Sequence, residues 1–214
     1  MTAIKQQMNY ALALGIVVLA VSCSVLPERE PTRIYEPARA AVPAPPVSPP
    51  VSWSLVVAKP LAGQLLEDDG IVVRPAPGVV QVYKAATWSD PVPDIVQTSI
   101  VRALEDSGRI LSVSRPGGTI QGDYQLITEL RAFESVYTAD KSVQAQIDIY
   151  AKLVRSLDGR VVAVRSFRES EPAASEELGA VVEAFSRVLD RATVGVVGWT
   201  LASGNQAPLD SAKP

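Results

Sequence analysis

Cys23 carries the only thiol in a chain of 214 residues, and the chain contains no histidine. A lone thiol can be alkylated or acylated, but it cannot form an intrachain disulfide, a Cys-rich zinc site or an iron–sulfur cluster. Without histidine the usual general base near neutral pH and the commonest metal ligand are both missing, which disfavours most hydrolase chemistries. Serines are plentiful, but none has a histidine partner, and a Ser–Lys pair is not defined by sequence spacing alone. Neither the P-loop nor the dinucleotide glycine pattern occurs; Gly117-Gly118 leads into no helix start and reads as a turn. Glu67-Asp68-Asp69 is the one dense carboxylate run, and without calcium-loop spacing it reads as a solvated loop. No residue is assigned to catalysis, and no metal or cofactor is expected.

The position of the thiol gives it a chemistry. Residues 1–10 are polar with Lys5 as their charge, and Ala11 to Val21 form an apolar run that ends in Ser22-Cys23. That layout is a signal peptide over residues 1–22, and the apolar run is shorter than the roughly 20 residues a spanning helix needs. Leu19-Ala20-Val21-Ser22-Cys23 resembles the bacterial lipobox, in which the cysteine thiol is lipidated before cleavage and becomes the new N-terminus. The pattern prefers Leu, Val or Ile where Ala20 stands, and an ordinary secretory signal with an incidental cysteine is the alternative. Ser24 stands where an inner-membrane retention signal has Asp, so resemblance to enterobacterial lipoproteins implies sorting to the outer membrane, with the lipid (palmitate) on Cys23 and the domain in the periplasm.

Lys5 is the only charge before Cys23, so 19 basic and 23 acidic residues remain after it, a balance that argues against nucleic acid. The length suits one core. Eight of the 17 prolines lie between Pro27 and Pro50, so residues 23–51 read as a lipidated, Pro-rich tether, of which the 27 residues from Ser24 to Pro50 reach about 80 Å when stretched. Ser203 to Pro214 is small and polar and reads as a disordered tail, placed at 202–214.

Between them, residues 52–201 carry a folded body. Trp53, Leu55 and Val57 alternate as a strand, and Ile71–Arg74, Val79–Lys84 and Ile110–Val113 are further strands. Ser89-Asp90-Pro91 reads as a helix start, with Val92, Val96, Ile100, Ala103 and Leu104 on one face and Gly108 as the stop. Tyr124, Leu126, Leu130 and Ala132 share one parity, as do Val143 to Leu153 at every second residue, and Asp158-Gly159 turns the chain into Val161–Glu169. Ser175 with Glu176 and Glu177 opens the last helix, whose apolar face runs from Leu178 to Trp199 and reads as core. The expectation is an α+β fold: two layers, a mostly antiparallel sheet of about six strands, and two helices on one face.

Gly70-Ile71-Val72-Val73-Arg74, Val82-Tyr83, Trp88-Ser89-Asp90-Pro91, Asp123-Tyr124-Gln125-Leu126, Phe133-Glu134, and Ala184-Phe185 followed by Trp199 resemble, in their order, the ABC-type transport auxiliary lipoprotein family. The resemblance covers about Trp53 to Trp199. It implies an accessory role without enzyme activity, in which an MCE-domain protein and its ABC permease and ATPase are the partners and lipids are moved between two membranes, with phospholipid left open as a further partner. Trp88, Tyr83 and Trp199 are the aromatic candidates for a partner or ligand surface; read from the residues alone, Trp88 and Trp199 cover sheet or helix ends, and Tyr83, Phe133 and Phe185 fill the core. A homo-oligomer is left open. Two other classes stay in view: a structural envelope or secretion-assembly lipoprotein resembling the TolB amino-terminal domain, and a hydrolase.

Overall fold

The computed structural model describes residues 31–38, 50–118 and 122–206, and from Thr32 onward the chain forms one compact unit. The described residues form nine strands and three helices. They are β1 (Arg33–Tyr35), β2 (Ser54–Val57), β3 (Leu61–Ala62), α1 (Gln64–Glu67), β4 (Gly70–Ala76) and β5 (Val79–Trp88), then α2 (Val92–Asp106), β6 (Ser112–Ser114), β7 (Tyr124–Tyr137), β8 (Val143–Arg155), β9 (Val161–Pro172) and α3 (Leu178–Gln206).

β7 organises the sheet. Along one side it pairs antiparallel with β8 from Tyr124↔Arg155 to Tyr137↔Val143, and β9 continues beyond β8. Along the other side β2, β3 and β4 take successive stretches of it, all parallel. β6 lies beyond β2, and β5 then β1 lie beyond β4. The α+β class therefore holds, with a mixed sheet: the long ladders are antiparallel, and five shorter pairings are parallel.

A bulge at Arg131 lets one strand serve so many partners. Its extra residue reverses the parity of β7, so Leu130 faces Ile149 on the core side, whereas Ala132 pairs with outward Asp148 and Phe133 takes over the inward position against Ile147. The expected inward run through Ala132 thus ends at Leu130. In β8 the alternation is unbroken: Val143, Ala145, Ile147, Ile149, Ala151 and Leu153 are all buried. Gly159, at φ +68°, supplies the left-handed turn expected at Asp158-Gly159.

α2 and α3 pack on each other and on the inward face. The expected side-chain cap on α2 is not made: Pro91 flanks the helix, its carbonyl accepts from the N–H groups of Asp94 and Ile95, and Ser89 Oγ instead donates to Asp90. α3 runs to Gln206, about 43 Å at 1.5 Å per residue, so residues 203–206, expected in the tail, are helical. The reason is Gly204. A Cβ there would lie 2.4 Å from the Trp53 ring, so the missing side chain lets the indole lie against the helix, where Trp53 Nε1 donates to Asn205 Oδ1 at 3.3 Å.

The N-terminal side also differs from expectation. Residues 33–38, inside the Pro-rich stretch read as tether, are docked on the body. β1 pairs parallel with Ala86–Trp88, the Ser89 N–H donates to the Tyr35 carbonyl at 2.8 Å, Pro37 is buried, and the Ala38 N–H donates to Ser186 Oγ at 2.9 Å. Arg33-Ile34-Tyr35 is a proline-free triplet rich in strand-forming side chains, and at a sheet edge it needs only one neighbour.

Candidate interaction surfaces

The centre of the core is aromatic. Phe133 of β7 stacks on Phe185 of α3 with ring centroids 4.9 Å apart, and Trp88 stands edge-on to both at 5.7 and 5.3 Å. Trp88 is 1% exposed, so this candidate for a partner surface is a core residue. Tyr83 is half-buried, shares a 3.2 Å hydrogen bond with Ser135 Oγ, and has its phenol pushed up by burial, hence neutral. Trp199 is half-buried with its ring edge-on to Phe167 at 5.8 Å. It lies 14 residues along α3 from Phe185, about 21 Å, so the three candidates form no single site. Cys23 and Ser24 lie outside the described residues.

The charged groups are arranged for structure. Arg74 pairs with Glu134 at 2.6 Å, Arg168 with Asp148 at 2.7 Å, Lys59 with Asp94 at 2.8 Å, and Arg187 and Arg191 both with Glu171 at 3.1 and 2.9 Å. The hydrogen bond from Arg187, with Arg191 beside it, holds the Glu171 carboxyl below its ordinary range; hydrogen bonds from Thr138 and Ser142 do the same for Asp140. Both shifts run away from the raised pKa a general acid needs near neutrality. Among the described residues no group of three His, Cys, Asp or Glu could hold a metal ion, and no helix is long and apolar enough to cross a membrane.

What the fold offers instead is surface. On the open sheet face Tyr150 lies under the Arg131 guanidinium, 4.4 Å from the ring centre, with Lys152 5.5 Å away. Among the described residues β9 is the edge strand beyond β8. A shallow cleft at the far end is lined by Arg115, Gly117, Gly118, Gln125 and Ser156. The β4–β5 hairpin projects past its last pairing with β7 at Arg74, and residues Pro75 to Val82, the last two of them opposite Val73 and Val72, are exposed. In the sequence Val79–Lys84 reads as an ordinary strand; in the fold no described residue covers its turn end.

A family model described as the ABC-type transport auxiliary lipoprotein component matches residues 36–197. The chain belongs to this family. The crystal structure of protein XCC0632 from Xanthomonas campestris, of family DUF330, is 43% identical and superposes with a TM-score of 0.78, covering 82% of this chain and 98% of that one. A second crystal structure, of an uncharacterized protein, is 15% identical with a TM-score of 0.62 over 79% of this chain and 99% of that one, and shares the fold. An uncharacterized protein of Bradyrhizobium diazoefficiens is 28% identical over 156 residues, 73% of this chain; the match spans 41% of that curated relative's length. The family match begins at Glu36, within the docked N-terminal segment.

Proposed function

We propose that this protein is a lipid-anchored, non-catalytic auxiliary component of an MCE-type ABC system that moves lipid between the inner and outer membranes, with Cys23 the lipidated residue and the domain in the periplasm. The observation that carries the reading is the family match across nearly the whole folded domain. Three features support it. The lone thiol sits where a lipobox would place it. The core aromatics are spent on packing, which leaves outer surfaces for partner contact. The carboxylates with shifted pKa are held ionised by hydrogen-bonding neighbours. Ser24 favours the outer membrane as the site of the anchor.

The docked N-terminal segment changes the reach. With residues 33–38 fastened, the leash from the lipid is the nine residues from Ser24 to Thr32, about 28 Å rather than 80 Å. The domain is held close to its membrane, and the partner has to come to it. The test is complementation: cells lacking the protein should lose transporter-dependent envelope resistance, wild type should restore it, and Cys23→Ala should fail despite normal folding. Full rescue by Cys23→Ala would reject the anchored role.

A further inference from the structure

We infer that the β4–β5 hairpin tip is a membrane contact: it dips into the surface of the phospholipid bilayer that holds the acyl chains of Cys23. The inference rests on the anchored reading above and adds to it a face of the protein.

The tip is apolar where water would be expected. Pro75-Ala76-Pro77-Gly78-Val79-Val80-Gln81-Val82 holds no charge, and Val79, Val80 and Val82 are 42%, 39% and 47% exposed. Isolated exposed valines are ordinary, but Val79 and Val80 at the turn, with Val82 on the same strand opposite Val72, make an apolar surface that no described residue covers. Arg74 and Lys84 close the segment on its two strands, an arrangement suited to the interface between acyl chains and headgroups. Glu134 pairs Arg74, and Glu176 lies near Tyr83, so the rim carries both signs and the valines supply the attraction.

The occupant follows from the direction and length of the chain before β1. β1 is parallel to β5, with Arg33 beside Ala86 and Tyr35 beside Trp88. Upstream of Arg33 the register therefore points back along β5 toward the turn at Gly78. From Ala86 to Val79 is seven residues, about 23 Å. From Arg33 back to Cys23 is ten residues, at most about 35 Å. The leash is just long enough for acyl chains and hairpin tip to meet one plane. A bilayer at that plane leaves the opposite end of β8, with Leu157 and the Arg115 cleft, facing away from the membrane.

The test uses the full chain with its anchor, purified from bacterial membranes and reconstituted in vesicles of phosphatidylethanolamine and phosphatidylglycerol containing lipids with a quencher in the acyl chain. Lipidation blocks the Cys23 thiol, so Val80→Cys and Leu157→Cys each take one environment-sensitive dye; Leu157 is 87% exposed at the far end of the sheet. The Val80 probe should shift to the blue and be quenched by the lipid, the Leu157 probe should do neither, and Val79→Asp with Val82→Asp should abolish the Val80 quenching without changing the melting temperature. Vesicle-bound protein whose Val80 probe is as unquenched as the Leu157 probe overturns the inference and leaves the anchor standing. If unsubstituted protein takes the dye and does not float with vesicles, Cys23 is free and both readings fall.

Discussion

The backbone N–H of Ser89 donates to the carbonyl of Tyr35 at 2.8 Å, joining a residue 12 positions past Cys23 to the segment that enters α2. Three residues on, the Ala38 N–H reaches Ser186 Oγ on α3, whose hydroxyl donates in turn to the Val182 carbonyl. Together these bonds make residues 33–38 part of the body. On the proposed anchoring at Cys23 the Pro-rich stretch is thereby divided: residues 24–32 would set the reach, and residues 39–49 connect the docked residue 38 to residue 50.

The reach should respond to one half only. Exchanging residues 39–49 for Gly/Ser of equal length should leave envelope resistance unchanged, whereas deleting residues 25–30 shortens the leash by about 18 Å and should reduce it. Equal tolerance of both changes would show that leash length is not limiting.

The strap itself can be loosened at one buried hydroxyl without removing an apolar side chain of the core. Ser186→Ala removes the acceptor for Ala38, a loss of about 0.5–1.5 kcal/mol, so hydrogen exchange at the Ala38 and Ser89 amides should accelerate together. Acceleration at Ala38 alone would mean that β1 is held independently of Ser186.

Parts of this were legible and parts were not, for physical reasons. β8 alternates without interruption because one side of it is core and the other water, and the tight turn at Gly159 has its own residue signature. β1 and β3 are two or three residues long and exist only through pairing with β5 and β7, so no local periodicity announces them. Ser203 to Gln206 look like tail residues because small, polar types are what the Trp53 contact needs. At the site, Cys23 stood out by its singularity. The hairpin tip does not, since a valine-rich run suggests burial and only the fold shows Val79, Val80 and Val82 exposed.

Gly204→Ala tests that helix end. Its Cβ would meet the Trp53 indole at 2.4 Å, so the ring must shift and break its hydrogen bond to Asn205, at a cost of about 1–3 kcal/mol. The melting temperature should fall and the near-ultraviolet tryptophan signal should change; an unaltered signal would contradict the packing described.

The core aromatics should be unequal. Phe185→Ala removes a fully buried ring stacked on Phe133 and should cost about 3–5 kcal/mol. Trp199→Ala should cost less, because part of that ring already meets water. Thermal unfolding compares them, and a larger loss at Trp199 would reverse the assignment of which ring is central.

Acid should weaken the β9–α3 contact. Glu171 has its carboxyl lowered from an ordinary value of 4.5, chiefly by the hydrogen bond from Arg187, so its contribution is complete above that value and is lost as pH falls below it and through the lowered value of the folded carboxyl. Arg187→Gln should therefore destabilise slightly at neutral pH in low salt and become neutral at low pH or in high salt. A pH-independent difference between variant and wild type would assign the effect to packing of the arginine stem.

The central claim is a partnership, and its most direct measurement is cross-linking and affinity capture of the full-length chain from native membranes, with Cys23→Ala alongside. The account predicts an MCE-domain protein with its permease and ATPase, enriched with the anchored form over Cys23→Ala. Recovery of cell-wall or secretin components in their place, from protein shown to be folded and anchored, would contradict it.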